Sequence, residues 1–426
     1  MRRLGRNLRD RIQPTAWHFL FGSAGIGAAH AVPWTLLALY LDQREFSKPD
    51  IGFIQSAESW GKVLVAIPAA FFLARRSSRP IFAGSALVVA ACYVVLPSLE
   101  TRNAIATCNL FAGLAWSVHY VAIAPFLFRH TGPGERALVF GLAEAVHTGA
   151  AVTGAFLAGR FVTWTAPYWG GELVAMERAI AWGGGAFALL GAIAYARIRD
   201  PEPSIDRGQA MLPVLRAHRS LIARFALPQF AIASGAGFYI PFLPLYFKDR
   251  FDFGAGSWGT LFSCGQILTT TGFLLTPVIL KRMGFVRSMV TIELASMPFF
   301  LILAFTGHAP LAVLAFLLRG ALMNSTHPIL KNFMMQATPP GVREVQTGVN
   351  ATLWGVGWVV GPLLAGRVLA ATDDDYSVLM LTTIGFYLVA AVLSVVLLGP
   401  IDPTRKRTAT TARESGTGTP EGSARS

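Results

Sequence analysis

Long apolar segments recur along the whole 426-residue chain, and proline, glycine or charged residues separate each segment from the next. A helix needs about 20 apolar residues to cross the hydrocarbon core of a bilayer. The backbone must satisfy its own hydrogen bonds there, and the segments lack the alternation of barrel strands, so each must be a helix. The sequence therefore predicts an all-α membrane protein with twelve transmembrane helices. The predicted spans lie near 17–41, 51–74, 81–99, 104–128, 137–161, 178–196, 222–247, 257–280, 287–305, 309–332, 345–370 and 376–399.

Composition excludes the common soluble classes of protein. Hydrophobic residues make up 53% of the chain and charged residues 14%, whereas a soluble domain carries about 25% charged residues. The three cysteines lie inside apolar segments, without the spacing of a metal site or a disulfide framework. The sequence also contains no phosphate loop, nucleophile elbow or zinc-binding helix motif. We therefore predict a protein that is not an enzyme and that holds neither a metal nor a cofactor.

Basic residues are distributed unevenly between alternate loops. The loops assigned to the cytoplasmic side, together with both chain ends, hold 26 of the 36 Lys and Arg residues, the opposite loops hold 8, and two lie within spans. Because basic loops stay on the cytoplasmic side, we predict a multi-pass protein of the plasma or inner membrane with both ends in the cytoplasm. Topology and anionic lipid then explain the net charge of +13, and nucleic acid is not predicted as a partner.

The two halves of the chain repeat each other. Residues 133–160 laid on 340–367 without a gap give ten identities in 28 positions. Each half contains six predicted spans, so both halves have the same orientation, and parallel six-helix halves around a midplane site are typical of transporters. The predicted organisation is a cytoplasmic N-terminus at 1–16, six-helix halves at 17–196 and 221–400, a cytoplasmic linker at 197–220 and a disordered tail at 401–426.

A basic motif lies between the second and third predicted spans. The string LARRSSRP at 73–80 matches the motif Gly-x-Leu-Ala-Asp-Arg-x-Gly-Arg-Arg of the major facilitator superfamily at Leu73, Ala74, Arg76 and Arg79. Through this motif, the repeat and the twelve spans, the chain resembles that superfamily over nearly its whole length. The resemblance implies the superfamily fold, secondary transport and a gate in the cytoplasmic loops. The residues assigned to this gate are Arg75, Arg76, Arg79, Lys281, Arg282 and Gly284.

The chain departs from the superfamily pattern in the charges of the basic motif and in the position of a Gly-Pro pair. Arg75 and Lys281 stand where the superfamily has the Asp of a charge network that biases the outward-open state, so the resemblance does not extend to that network. Exporters of the superfamily often carry Gly-Pro on the fifth span, whereas here that pair lies on the eleventh, so no transport direction is inferred from it. Small residues on both helices are predicted to allow close helix packing; they are Gly154, Gly159, Gly361, Pro362 and Gly366.

Ionisable residues within the spans are candidates for function, because a charge at bilayer depth is costly. Glu58 and Lys62 lie one turn apart on the second span and can neutralise each other, which is compatible with proton or substrate exchange and with a permanent ion pair. Glu144 and His147 share a face of the fifth span and could exchange a proton, although His147 could also line a helix contact. Glu293 is interpreted as a structural carboxyl group.

Arg319 is the strongest single candidate. It lies in the middle of the tenth span, where its repeat partner is Ala112, so the shared scaffold does not require the charge. It is predicted either to bind an anionic substrate through two parallel hydrogen bonds or to be the counter-ion of Glu144. Further candidates are polar or aromatic residues on helices that line the cavity in the superfamily, and each could instead be packed; they are His30, His119, Gln266, Asn324, His327 and Trp354.

These observations predict a secondary active transporter of small solutes that works by alternating access and is driven by protons through Glu144 and Glu58. Export of amphipathic compounds is the first interpretation, because the spans are rich in aromatic residues and carry few charges. The alternatives are uptake of an organic anion through Arg319 and a non-transporting membrane receptor or assembly factor on the same scaffold. The predicted partners are a small-molecule substrate, protons and the lipid bilayer, and the protein is predicted to be monomeric.

Overall fold

The described part of the chain contains twelve long helices. The computed structural model describes residues 14–73, 77–131, 136–199, 211–339 and 342–404, and no strand occurs among them. The first six helices are α1 Pro14–Gln43, α2 Lys48–Leu73, α3 Ser78–Val95, α4 Arg102–Arg129, α5 Arg136–Thr165 and α6 Glu172–Ala196. The second six are α7 Arg219–Phe251, α8 Ala255–Met283, α9 Phe285–Phe305, α10 Ala309–Ala337, α11 Arg343–Ala371 and α12 Tyr376–Ile401.

Ten of these helices are long and apolar enough to span a bilayer. The other two, α2 and α8, have 26 and 29 residues, which is sufficient length for a span. The all-helical membrane architecture that the apolar segments predict is therefore confirmed. A short helix, Met211–Ala217, lies within the predicted linker, and the predicted tail lies outside the described residues from position 405 onward.

Three helices contain local departures from regular α-helix. A π-helical segment occurs in α6 at Ala179–Gly184 and in α12 at Ser394–Leu398, and α7 is interrupted by a 3-10 turn at Ile240–Phe242. Pro241 and Pro244 have no N–H to donate to the helical ladder, which explains the interruption of α7. This interruption forms part of the wall of a cavity that lies between the two halves of the molecule and is called the central cavity below.

Each half packs as a bundle of six helices, and the two bundles use the same helix pairs. In the first half α1 contacts α5 and α6, α4 contacts α2 and α3, and α3 contacts α6. In the second half α7 contacts α11 and α12, α10 contacts α8 and α9, and α9 contacts α12. Each of these five pairs in the first half has its counterpart six helices later, so the sequence repeat is also a repeat of tertiary structure.

A tyrosine hydrogen bond is repeated at the same offset. The hydroxyl of Tyr40 donates to the carbonyl of Pro97 at 3.3 Å, and the hydroxyl of Tyr246 donates to the carbonyl of Leu303 at 2.6 Å. In each half this bond joins the first helix to the end of the third. Such buried polar contacts fix the relative position of two helices that apolar packing alone would leave free to slide.

The two halves meet along two helix pairs, α2 with α11 and α5 with α8. We call the end of the bundle at which α1 begins and α12 ends the terminal end, and the opposite end the far end. At the far end the carbonyl of Pro362 lies against Gly52, and the carbonyl of Lys48 lies against Gly366. The absence of a side chain at these glycines lets the backbones of α2 and α11 approach closely, which brings the halves together at the far end.

Candidate functional site

A cavity of about 370 Å³ lies between the two halves. Both halves line it, mainly through α1, α2, α4 and α5 on one side and α7, α8, α10 and α11 on the other. Sites for small molecules have volumes of roughly 300–1,000 Å³ and are mostly apolar with a few placed polar groups. The cavity is therefore the candidate binding site of this chain.

Aromatic rings and amide groups line the same cavity. Trp34 on α1 and Trp358 on α11 meet across the interface, with ring centroids 5.6 Å apart. The indole N–H of each is buried and has no acceptor within the described part of the chain. The other tyrosine, tryptophan, phenylalanine and amide residues of the lining are Tyr93, Tyr239, Trp258, Phe262, Phe316, Gln55, Asn109, Gln266 and Asn324.

The first half contributes a cluster of three ionisable residues. The Glu58 carboxylate accepts a hydrogen bond from Lys62 at 2.7 Å, and the same oxygen lies 3.0 Å from Nε2 of His30. The ring of His30 stacks on that of Trp116, with centroids 4.3 Å apart and planes 5° from parallel. Glu58 and His30 line the cavity. The structure therefore joins the predicted Glu58–Lys62 pair to His30 and adds Trp116, which the sequence did not single out.

The second half contributes Arg319, which lines the cavity from α10 and is 4% exposed. Its Nη2 donates to the hydroxyl of Tyr387 at 2.6 Å. The guanidinium carbon lies 4.6 Å from the ring centroid of Tyr239 and 4.7 Å from that of Phe300, so aromatic faces partly compensate the charge. Its Nε has no acceptor, and no carboxylate forms an ion pair with it within the described residues. Glu144 is therefore not its counter-ion in this structure.

Glu144 and His147 both lie on α5, but only His147 lines the cavity. His147 lines the cavity and its Nδ1 lies 3.3 Å from the carbonyl of Ser23 on α1. Glu144 is exposed and does not line the cavity. It lies on α5 one turn closer to the terminal end than His147 and Thr148, both of which line the cavity.

The remaining candidates separate into two groups. Gln266 and Asn324 line the cavity. His119 is 2% exposed in the core of the first half, where its Nε2 lies 3.4 Å from the hydroxyl of Tyr195. The rings of His327 and Trp354 contact each other at 5.2 Å, and neither residue lines the cavity.

The residues assigned to the cytoplasmic gate lie at the terminal end, as far as they are described. Arg79 is in the first turn of α3, and Lys281 and Arg282 are in the last turn of α8. Gly284 joins α8 to α9 with a φ of 77°, which glycine adopts without steric cost. Arg75 and Arg76 lie outside the described residues.

The predicted packing residues all face other helices. Gly154 faces α1, Gly361 faces α7 and Gly159 faces α8, while Gly366 and the carbonyl of Pro362 face α2. The contacts of Gly154 and Gly361 each lie within one half. The contacts of Gly159, Gly366 and Pro362 join one half to the other.

A group of charged side chains crosses the interface at the far end. We call it the far-end cluster; its members are Asp42, Lys48, Lys248, Asp249 and Asp374. Lys48 lies 2.8 Å from Asp42 of its own half, and 3.3 Å from Asp249 and 3.9 Å from Asp374 of the other half. Lys248 is bonded to Asp42. Sequence reasoning missed this cluster, although Asp42 and Lys248 occupy equivalent positions of the repeat and carry opposite charges.

Asp374 lies in the loop between α11 and α12, outside the spans. Burial raises the pKa of this carboxyl group above its ordinary value, and the neighbouring carboxylates of Asp249 and Asp42 raise it further, although Lys48 acts in the opposite direction. Protonation of Asp374 is therefore easier in this arrangement than in water.

The fold and the site define a class: a membrane protein of two repeated six-helix bundles around one central cavity. The sequence model of the Major Facilitator Superfamily matches residues 19–362. The chain therefore belongs to the Major Facilitator Superfamily. No curated protein sequence matches it.

Solved structures of transporters share this fold. A point mutant of the nucleoside transporter NupG superposes with a TM-score of 0.75 at 16% identity, covering 90% of this chain and 99% of that chain. A bacterial homologue of the human lysosomal transporter Spinster, in an inward-facing and unoccupied conformation, superposes with a TM-score of 0.73 at 12% identity, covering 91% and 97%. At these identities the similarity shows the fold alone, and this fold agrees with the match to the Major Facilitator Superfamily.

Proposed function

We propose that this chain is a proton-driven transporter of small amphipathic solutes, and that the central cavity is its transport site. The observation that carries the proposal is a cavity of about 370 Å³ lined by both halves. A site shared between two repeated bundles can change its access when one bundle rocks against the other. The aromatic walls supply apolar contact, and the amide groups of the lining supply hydrogen bonds to a polar edge of the solute.

We propose that Glu58, in preference to Glu144, binds and releases the transported proton. Glu58 lines the cavity and holds Lys62 and His30 with one carboxylate oxygen, so its protonation would release both partners and change the polarity of the cavity wall. Glu144 remains a second candidate, because it lies one turn from the lining at the terminal end. We propose export as the direction, with the terminal end in the cytoplasm of the cell, as the distribution of basic residues predicts.

The test is proton flux in proteoliposomes that enclose a pH-sensitive dye. Uridine, benzoate and tetraphenylphosphonium serve as neutral, anionic and cationic probes, after a thermal-unfolding screen has identified which of them binds. A probe at about 100 times its dissociation constant stabilises the folded protein by about 2.7 kcal/mol. We expect the stabilising probe to produce proton flux, and we expect Glu58→Gln to abolish the flux while probe exchange continues.

Glu100→Gln is the matched control, because Glu100 is exposed in a loop at the far end and should retain proton flux. Persistent flux in Glu58→Gln would exclude Glu58 as the proton site. Binding of a probe with no flux or exchange in any vesicle would favour the non-transporting receptor instead.

Arg319 supports a second candidate function, uptake of an organic anion. Its buried charge lines the cavity without a carboxylate partner among the described residues, and a guanidinium can bind a carboxylate through two hydrogen bonds. In this case benzoate would be the stabilising probe, and Arg319→Ala would abolish its binding while leaving binding of tetraphenylphosphonium unchanged.

A further inference from the structure

A second concave site lies at the terminal end of the first half. Its volume is about 710 Å³, and α1, α3 and the end of α6 line it. It shares no lining residue with the central cavity, so its role is independent of the proposed transport site. We call it the basic pocket; its lining residues are Thr15, His18, Arg79, Ala196, Arg197, Ile198 and Arg199.

The basic pocket carries positive charge that no carboxylate of the described residues neutralises. Arg79, Arg197 and Arg199 form no ion pair with any carboxylate of the described residues. Nδ1 of His18 is buried and has no hydrogen-bond partner in the described part of the chain. Three guanidinium groups around one concavity repel each other, so an anion bound there would relieve the repulsion.

The start of α3 adds to the positive potential. Ser77 precedes this helix and its side chain makes no capping hydrogen bond. The first N–H groups of a helix and its dipole favour an anion at this end. Arg79 lies in the same first turn, so its side chain and the helix terminus act on the same ligand.

Exposed apolar side chains lie farther along the three helices that line the basic pocket, towards the middle of the membrane. Phe21 on α1 follows His18 by three residues and is 66% exposed, and Leu87 on α3 lies two turns beyond Arg79 and is 50% exposed. Ile193 on α6, one turn before Arg197, is 44% exposed. A free phosphate ion would use only the charged part of this surface, whereas a phospholipid would use both parts.

We propose that the basic pocket binds an anionic glycerophospholipid. The arginines contact the phosphate and the negatively charged headgroup through charge-assisted hydrogen bonds, and the acyl chains lie along the exposed apolar residues of the three helices. Basic pockets between spans at a cytoplasmic surface are suited to such headgroups. The lipid would join the terminal ends of α1, α3 and α6.

The test is lipid binding to the full-length purified protein in a neutral detergent. Dioctanoyl phosphatidylglycerol is the anionic probe, and dioctanoyl phosphatidylcholine and inorganic phosphate are the comparison ligands. Bound lipid is counted by native mass spectrometry, and the thermal-unfolding midpoint is measured in parallel. We expect phosphatidylglycerol to bind and to raise the midpoint, with little effect from the other two ligands.

The variant Arg79→Gln/Arg197→Gln/Arg199→Gln should bind phosphatidylglycerol at least ten times more weakly. The matched control, Arg219→Gln/Arg224→Gln/Arg287→Gln, removes three charges from the second half at the same end and should bind like the wild type. The corresponding triple Lys variant keeps the charge and should retain part of the binding, which separates lost binding from lost folding.

Three results would overturn the proposal. They are equal loss of binding in both Gln variants, stabilisation by inorganic phosphate as strong as that by phosphatidylglycerol, and a wild-type protein that binds phosphatidylcholine equally well. The first would show a general effect of surface charge, the second a site for free phosphate, and the third no recognition of the anionic headgroup.

Discussion

At the scale of single residues, the position of the Arg319 guanidinium depends on a hydrogen bond to Tyr387. Tyr387→Phe would remove the hydroxyl that accepts a hydrogen bond from Arg319 at 2.6 Å. A buried donor left without an acceptor costs about 1–3 kcal/mol. We therefore expect a lower thermal-unfolding midpoint and weaker probe binding in the central cavity. Tyr120→Phe is the control, because the Tyr120 side chain is 61% exposed; equal midpoints in the two variants would contradict the role of Tyr387.

Some site residues could be identified from the sequence and others could not. A charge in the middle of an apolar span is conspicuous, and the structure places Glu58 and Arg319 at the cavity wall. The rotation of a helix about its own axis is set by packing against neighbours, and an apolar span contains little information about it. For this reason the sequence favours His119 and His327, which do not line the cavity. It gives no sign of Trp116, which stacks on His30.

At the scale of helices, the close approach of α2 and α11 depends on Gly52. Gly52→Ala would place a methyl group against the carbonyl of Pro362, and neighbouring backbone cannot yield as a flexible side chain can. We expect the two helices to separate at the far end. The measurement is labelling of Gln55→Cys, a position at the cavity wall, with a membrane-impermeant maleimide added at the far end, in a background that lacks Cys264.

Gly385→Ala is the control for this experiment. A Cβ at Gly385 would meet no atom within 4 Å, and alanine favours a helix over glycine by about 1 kcal/mol. Labelling should therefore rise in Gly52→Ala and stay unchanged in Gly385→Ala. If labelling is equally slow in both, the contact of α2 with α11 does not close the far end.

The apolar segments predict the helices, but they do not predict the irregular turns within them. A segment of about 20 apolar residues has to be a helix in lipid, so existence and order could be predicted. Pro241 and Pro244 lie within the predicted seventh span, and proline is tolerated in such helices because neighbouring helices satisfy the freed backbone groups. Proline alone therefore does not show whether α7 continues, kinks or breaks.

At the scale of the whole molecule, the sequence repeat predicts two equivalent bundles but not how they meet. Equivalent bundles can close at either end, and the choice depends on contacts between residues more than 200 positions apart in the chain. Lys48 makes such contacts, with Asp249 at 3.3 Å and with Asp374 at 3.9 Å. The far-end cluster is therefore a property of one arrangement of the halves and has no signature within either half alone.

Lys48→Gln should weaken the closure of the far end. The substitution removes the cation that joins three carboxylates of both halves, and a loss of about 1–2 kcal/mol changes the ratio of closed to open molecules roughly 5- to 30-fold. Double electron–electron resonance between spin labels at Thr101 and His308, in a cysteine-free background, should show a larger population of long distances. Arg102→Gln should leave the distances unchanged, because Arg102 pairs with Asp50 of its own half.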